Sequence, residues 1–351
     1  MLKKYWWFVV LLLLVLVGLG IFLIDQAHAP ATLSPDVRVG KHFVFPLIVK
    51  NYPLATSTPE PTLTPIPTPI PTATPEPTAT LVPLLAKVSG IAWPREDTYD
   101  RSVGLAQIGA KITLDWGYKA STAQVLQTTG VTYLPMQWSC NVNVASVQAF
   151  ARQFPGSTWL AFNEPDNTDQ ANCTPEQAAK AYNLLYESIK AVDTSARLFC
   201  CGTAFYPAHI DFMKQWAQTY RDLYGNWPVI DGIHLHSYGQ FEDRLDAPRR
   251  KYELEQTRAW TQQQSWAANK PFIVSEWAVS TASWWKFKDQ DPIVNYYIPD
   301  MRKWFDQQVW IIADIWFSSW YSEYYYEPDN IWYQASSTLT PTGKAWQKAA
   351  P

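Results

Sequence analysis

Cysteine is scarce in this chain, four in 351 residues. That is too few for a disulfide scaffold, and no C-x-x-C pair with zinc-site spacing occurs. Charge of either sign is also short of an excess: 28 basic and 31 acidic residues leave a formal net charge of -3. A strongly basic, nucleic-acid-binding surface is therefore excluded as a first reading. Histidine numbers five, and His28 and His42 lie far toward the N-terminus, ahead of the first predicted strand. No G-x-G-x-x-G string follows that strand, which speaks against a dinucleotide-binding fold. The chain is instead rich in aromatic surface, 15% of its residues, with 19 Trp and 19 Tyr. These rings offer a flat apolar face with a polar edge. Two readings stand: a Trp-rich core, or a surface matched to the flat C–H faces of sugars.

The N-terminus divides into three stretches before any packed domain. In residues 1–29, Lys3 and Lys4 precede an apolar run from Tyr5 to Ile24. A run of about 20 apolar residues can span a bilayer, and the lysines favour export of the chain beyond it. Ala27-His28-Ala29 resembles a cleavage site, with Pro30 directly after it to hinder cutting. A signal peptide and a retained signal-anchor both place the remainder outside the cytoplasm, and the second adds a membrane attachment. Residues 30–54 form a short segment with no evident role. Residues 55–83 alternate Pro with Thr, which allows neither helix nor packed core and predicts an extended linker.

From residue 84 to 351 short apolar strands alternate with helical patterns. The predicted strands are Lys87–Trp93, Ala110–Trp116, Val131–Trp138, Thr158–Glu164, Arg197–Thr203, Ile230–Tyr238, Pro271–Trp277 and Val309–Phe317. The clearest helices between them are Pro175–Val192, His209–Tyr224, Leu254–Ala268 and Ile293–Gln307. Thr174-Pro175-Glu176-Gln177 supplies a helix start: a capping hydroxyl, Pro at the first position and an acidic first turn. Such alternation predicts a parallel sheet of the α/β class, and eight units fit a (β/α)8 TIM barrel, with a doubly wound open sheet as the alternative.

In a barrel the reactive groups sit at the C-terminal ends of the strands. Asn163 and Glu164 close the fourth strand, His236 and Tyr238 the sixth, and Glu276 the seventh. Trp116, Trp138, Trp277 and Trp316 lie at four strand ends. Two carboxylates over one cavity are the working pair of most glycosidases, one giving a proton and one attacking the anomeric carbon. Pro165 biases Glu164 toward an extended pose. A charged Glu276 closing an apolar strand is costly unless it is used or paired. His234, His236 and Tyr238 share one strand face. A metal pair on that strand needs further ligands that the remaining histidines do not supply, so His236 and Tyr238 read as partners of Glu276 and the substrate, and His234 as a core group. Cys140 and Cys173 follow adjacent strands on the same rim, so an oxidising compartment favours a bridge between them. Cys200 and Cys201 are read as buried thiols facing opposite ways. No metal or organic cofactor is implied.

Taken in order, Tyr133-Leu134-Pro135-Met136-Gln137-Trp138, Leu160-Ala161-Phe162-Asn163-Glu164-Pro165-Asp166, His236-Ser237-Tyr238 and Lys270-Pro271-Phe272-Ile273-Val274-Ser275-Glu276 resemble glycoside hydrolase clan A, and within it glycoside hydrolase family 128. The resemblance implies a retaining endo-β-1,3-glucanase. Glu164 would be the acid/base and Glu276 the nucleophile. Asn163 and Asp166 would line the sugar site, Tyr238 would steady the nucleophile, and Trp138 would be a sugar platform. Ser237 departs from the aromatic residue frequent in the family, and the Tyr-rich stretch from Trp320 to Tyr333 is not among the matching stretches and would add sugar contacts after the eighth strand. Two other classes remain: a clan A enzyme for xylan or mannan, and a carbohydrate-binding barrel without catalysis. The expected partner is a polysaccharide.

Overall fold

A computed structural model describes residues 87–93, 101–204, 206–240, 246–280, 292–321 and 329–349. The chain separates into two units, Met1–Glu76 and Pro77–Pro351. The first unit, and with it the export segment, residues 30–54 and most of the Pro/Thr stretch, lies outside the described residues. Among the described residues no helix is long and apolar enough to cross a membrane.

Nine strands form one sheet: β1 Val88–Ile91, β2 Ile112–Thr113, β3 Thr132–Tyr133, β4 Met136–Gln137, β5 Thr158–Ala161, β6 Arg197–Thr203, β7 Gly232–Gln240, β8 Phe272–Ser280 and β9 Ile311–Trp316. Their order is β3-β2-β1-β9-β8-β7-β6-β5-β4, and every named pairing is parallel. The sheet is curled and TIM-barrel-like. Its two ends, β3 and β4, are consecutive in the chain, separated by Leu134-Pro135. The single strand expected over Val131–Trp138 is thus broken at Pro135, which has no N–H for the ladder. The break keeps contact on both sides: Leu134 N–H donates to Thr113 O and Leu160 N–H donates to Pro135 O.

The helices are α1 Ser102–Gln107, α2 Ala120–Gln127, α3 Val144–Gln153, α4 Pro175–Lys190, α5 Ala208–Tyr224, α6 Asp246–Thr261, α7 Ile298–Gln307 preceded by a π-helical turn Ile293–Tyr297, and α8 Pro341–Lys348. Helix α4 starts where its capping box predicts. Thr174 Oγ1 accepts from Gln177 N–H, and the Gln177 side chain accepts from Thr174 N–H. Its buried stripe, Ala178, Ala181, Tyr182, Leu185 and Ile189, follows the helical period. Helix α6 begins eight residues ahead of the expected Leu254. Its first turns, Asp-Ala-Pro-Arg-Arg-Lys, hold too few apolar residues to show a period.

Two apolar layers result. An inner cluster draws on the strands and the residues just after them, with Ile112, Leu114, Met136, Leu160, Phe199, Ile273 and Ile315 filling the sheet's concave side. The outer cluster packs the convex side against the helices and contains Trp159, Trp216, Trp277 and Trp316. Trp277 and Trp316, expected at the rim as sugar contacts, are fully buried in this outer layer. Each answers a buried acceptor: Trp277 Nε1 donates to Asp314 Oδ2 at 3.1 Å and Trp316 Nε1 to Asp329 O at 2.7 Å. Both belong to the core.

Candidate active site

The acidic pair is assembled by two backbone irregularities. Along β8, Ile273 faces the inner cluster and Val274 the outer one. Strict alternation would then turn Glu276 outward. The register runs Leu235↔Val274 and then His236↔Glu276. One step on β7 thus spans two on β8, and Ser275 is the extra residue of a β-bulge. The bulge turns Glu276 inward to meet His236. Glu164 follows β5 with φ 46° rather than in the expected extended pose. It is held in this left-handed conformation by its own N–H, which donates to Gly202 O at 2.7 Å. Gly202 has φ 61°, and a Cβ there would stand 1.9 Å from Phe162 O. Only glycine lets β6 approach the end of β5 this closely.

His236 lies between the two acids. Its Nδ1 is 2.7 Å from Glu164 Oε1 and its Nε2 is 3.3 Å from Glu276 Oε1. The first is a hydrogen bond. The second is an ion-pair distance without hydrogen-bond alignment. Facing atoms of Glu164, His236 and Glu276 all lie within 4.8 Å of one another, and all three residues are buried. Glu276 has two further donors: Trp116 Nε1 reaches Oε1 at 2.5 Å, and the Tyr238 hydroxyl donates to Oε2. Glu164 Oε2 accepts from Asn167 Nδ2 at 2.7 Å.

Burial acts on all three titrating groups. On Glu164 it pushes the carboxyl up, but hydrogen bonds from His236 and Asn167 and the His236 charge outweigh it, leaving Glu164 below its ordinary value. Burial lifts Glu276 above the usual range, the Glu164 charge adds to this, and His236, Tyr238 and Trp116 oppose it. On His236 burial pushes down, yet the Glu276 and Glu164 carboxylates raise it overall. His234, one layer deeper, is pushed down to about 3 by burial and bonds Ser275 Oγ at 3.0 Å. It is a neutral core group that packs on the bulged residue.

The remaining expected residues divide. Asn163 is buried, its Nδ2 donates to Gln170 Oε1 at 3.1 Å, and its Oδ1 has no hydrogen-bond partner among the described residues. Trp138 is 37% exposed beside it; Asn163 N–H donates to Trp138 O. Trp116 is half-buried and meets Phe317 edge-on, with centroids 5.6 Å apart. Tyr238 and Tyr321 flank Phe317 at 6.0 and 5.3 Å. Residues 322–328 of the Tyr-rich stretch lie outside the described residues. Asp166, expected to line the sugar site, turns both carboxylate oxygens to Ala204 N–H, at 3.1 and 3.2 Å. Backbone donors next to a turn attract it more than an open cleft, so it ties the β5–α4 loop to the end of β6. Cys140 and Cys173 are joined, with Cα atoms 6.3 Å apart, linking the β4–α3 and β5–α4 loops. Cys200 and Cys201, expected to face opposite ways as thiols, have their sulfurs paired with each other. Asn167, Gln170 and Phe317 are not singled out by the sequence. For Asn167 and Gln170 the one available signal is their place just after Glu164.

Known proteins share this arrangement of elements. The solved structure of an endo-β-1,3-glucanase of glycoside hydrolase family 128 (subgroup I) from Amycolatopsis mediterranei, with laminaritriose, is 20% identical. The match covers 75% of this chain and 100% of that one, with a TM-score of 0.57. A subgroup II endo-β-1,3-glucanase from Pseudomonas viridiflava is 20% identical over 74% and 96%, TM-score 0.57. A curdlan-specific exo-β-1,3-glucanase (subgroup III) from Blastomyces gilchristii, with glucose, is 22% identical over 74% and 97%, TM-score 0.55. No curated protein matches in sequence. The profile of the glycosyl hydrolase catalytic core matches residues 90–346. The chain is therefore a member of the glycosyl hydrolase catalytic core family, and a glycosidase.

Proposed function

We propose that this glycosidase is a retaining endo-β-1,3-glucanase, with Glu276 as nucleophile and Glu164 as acid/base. The observation that carries the reading is that one oxygen of each carboxylate lies within 4.8 Å of the other beside His236. Double displacement works with carboxyl groups about 5–5.5 Å apart, whereas inversion needs about 6.5–9.5 Å to admit a water. The β-1,3-glucan preference follows the structural relatives, two of which were solved with laminaritriose and with glucose.

In this mechanism a Glu276 oxygen attacks the anomeric carbon while Glu164 gives its proton to the departing glycosidic oxygen. Water then attacks the glycosyl–enzyme ester, Glu164 takes its proton, and Glu276 leaves as a carboxylate. Tyr238 and Trp116 hold Glu276 oriented for attack. Asn163, with its unpartnered Oδ1, would accept from the sugar hydroxyl beside the reacting carbon. Trp138 would carry a glucose face and Trp116, beside Phe317, a second. The joined Cys140 and Cys173 fit an oxidising compartment. With the apolar N-terminal run read as an export signal, they support action outside the cytoplasm.

The test is to incubate the full chain with laminarin, xylan and mannan and to follow the first products by NMR. Oligosaccharides of β configuration from laminarin are expected. Products appearing first as the α anomer would contradict retention, and release from xylan or mannan alone would contradict the substrate. Glu164→Gln should lower kcat about 10²–10⁴-fold with the fold retained.

A further inference from the structure

The protons stand in the opposite order from the one bond cleavage needs. Glu164 must hold a proton when the leaving oxygen departs, yet both its oxygens face donors. Oε1 meets His236 Nδ1 at 2.7 Å, on the buried side of the site. Oε2 meets Asn167 Nδ2 at 2.7 Å, on the side where residues 168–170 are exposed. Oε1 is thus held by a buried partner and Oε2 by a half-buried one beside exposed residues.

The Asn167 amide cannot simply present its other end. Its Oδ1 accepts from Asp169 N–H at 3.1 Å. This fixes the NH2 group on Glu164, and an amide NH2 is a donor only. Donation from that group favours the ionised carboxylate over the acid, which needs its own hydrogen on one of the two oxygens. The contact is also a local one. Asn167 stands three residues after Glu164 in the same turn, with its backbone N–H donating to Glu164 O at 3.0 Å. A rotation of the Asn167 side chain would remove its donor without disturbing either strand. His236 has no such freedom, because it is fixed between both acids.

We propose that Asn167 is a positioning residue that keeps the acid/base carboxylate ionised in the free enzyme, and that a bound sugar displaces its amide from Oε2 so that Glu164 can take up and deliver a proton. The sugar's glycosidic oxygen then occupies the place of the amide nitrogen as the partner of Oε2, now as acceptor. The inference rests on the acid/base role of Glu164. The charged or titrating groups around Glu164 are His236 from β7, Glu276 from β8 and Asp166 on its own loop. None of them is altered by changing Asn167, so the effect of the amide can be read separately.

The pH dependence of kcat/KM reports the free enzyme and that of kcat the substrate complex. With Glu164 held below its ordinary value and Glu276 above it, loss of the Glu164 proton sets the acid limb of kcat/KM in the free enzyme. In Asn167→Leu of the full chain acting on laminarin, that acid limb of kcat/KM should move up by about one pH unit, the size of one charge-assisted hydrogen bond. The limbs of kcat should stay in place, because in the complex the amide has already left. Asn167→Asp retains an acceptor for Asp169 N–H and replaces the donor by a charge, so its kcat/KM limb should move further in the same direction. Circular dichroism and Tm of both variants check that they fold, and the Asp variant serves where the Leu variant does not. An equal shift in the kcat and kcat/KM profiles would mean the amide stays on Glu164 throughout, and would overturn displacement. A fall in rate with neither limb moved would show a merely structural residue and overturn the proposal entirely. Absence of laminarin hydrolysis by the wild type, or retained activity in Glu164→Gln, would instead strike at the acid/base reading itself.

Discussion

Glu276 accepts from two donors, the Tyr238 hydroxyl and the Trp116 indole, and faces the His236 imidazole at ion-pair distance. Each favours the ionised nucleophile against the burial that lifts it. Removing one donor should raise the carboxyl further, so the acid limb of the kcat profile, set by Glu276 once Glu164 holds its proton in the complex, should shift to higher pH. Tyr238→Phe is the cleanest case, since the ring keeps its place near Phe317. A shift of about one unit is expected, with the rate loss greatest below the limb and recovered above it. A uniform loss at all pH values would leave the hydroxyl no part in ionisation. At this scale strand alternation correctly groups His234, His236 and Tyr238. It fails for Glu276, which reaches His236 only through the bulge at Ser275, and nothing in Val274-Ser275-Glu276 announces a bulge. Trp277 and Trp316 lie in the core rather than at the rim because a strand-end position does not decide which face a side chain occupies. Asp166 departs from expectation for a related reason: composition does not reveal that Ala204 N–H lies opposite it.

Between elements, the site depends on how the β5–α4 loop is tethered. The Cys140–Cys173 link closes a loop of sequence separation 33. Chain entropy alone assigns such a link about 3–4 kcal/mol. Replacing both with Ser should lower Tm by several degrees and reduce kcat, because Asn163, Glu164 and Asn167 lie on the tethered side; an unchanged Tm would contradict the link. Helices α5 and α6 meet at a second polar contact, His209 Nε2 to Thr257 Oγ1 at 2.7 Å. Burial pushes His209 down to about 4. The unfolded chain therefore binds a proton that the folded chain refuses. This contribution to stability is complete above about pH 6.5 and is lost as the pH falls toward about 4. Urea denaturation at about pH 7 and about pH 4.5 should show His209→Gln losing about 2–3 kcal/mol less than the wild type over that interval. Equal losses would mean His209 titrates normally. Helix α4 is legible to the residue at its start because its cap is written in four consecutive side chains. Helix α6 is not, because its first turns are charged. The apolar run over Val131–Trp138 has the pattern of one strand, and only the missing N–H of Pro135 divides it.

Across the whole molecule, much of the aromatic excess fills the core. Trp159, Trp216, Trp277, Trp316 and Trp346 are fully buried, while Trp138 is exposed at the end of β4. The alternation of strands and helices carries the α/β class and the parallel sheet, because each strand is short, apolar and succeeded by a longer amphipathic segment. The convergence of Glu164 and Glu276 is legible only as two strand ends on one rim. Their spacing depends on the left-handed turn at Glu164 and the bulge at Ser275, neither of which has a residue signature. Retention by double displacement requires that Glu276 become covalently bonded to the sugar. Its most direct measurement is peptide mass mapping after incubation with a 2-deoxy-2-fluoro β-1,3-linked glucoside bearing a good leaving group. One glycosyl unit is expected on the peptide containing Glu276, absent from Glu276→Ala. A label on any other residue, or turnover of laminarin with inversion and no trapped adduct, would contradict it.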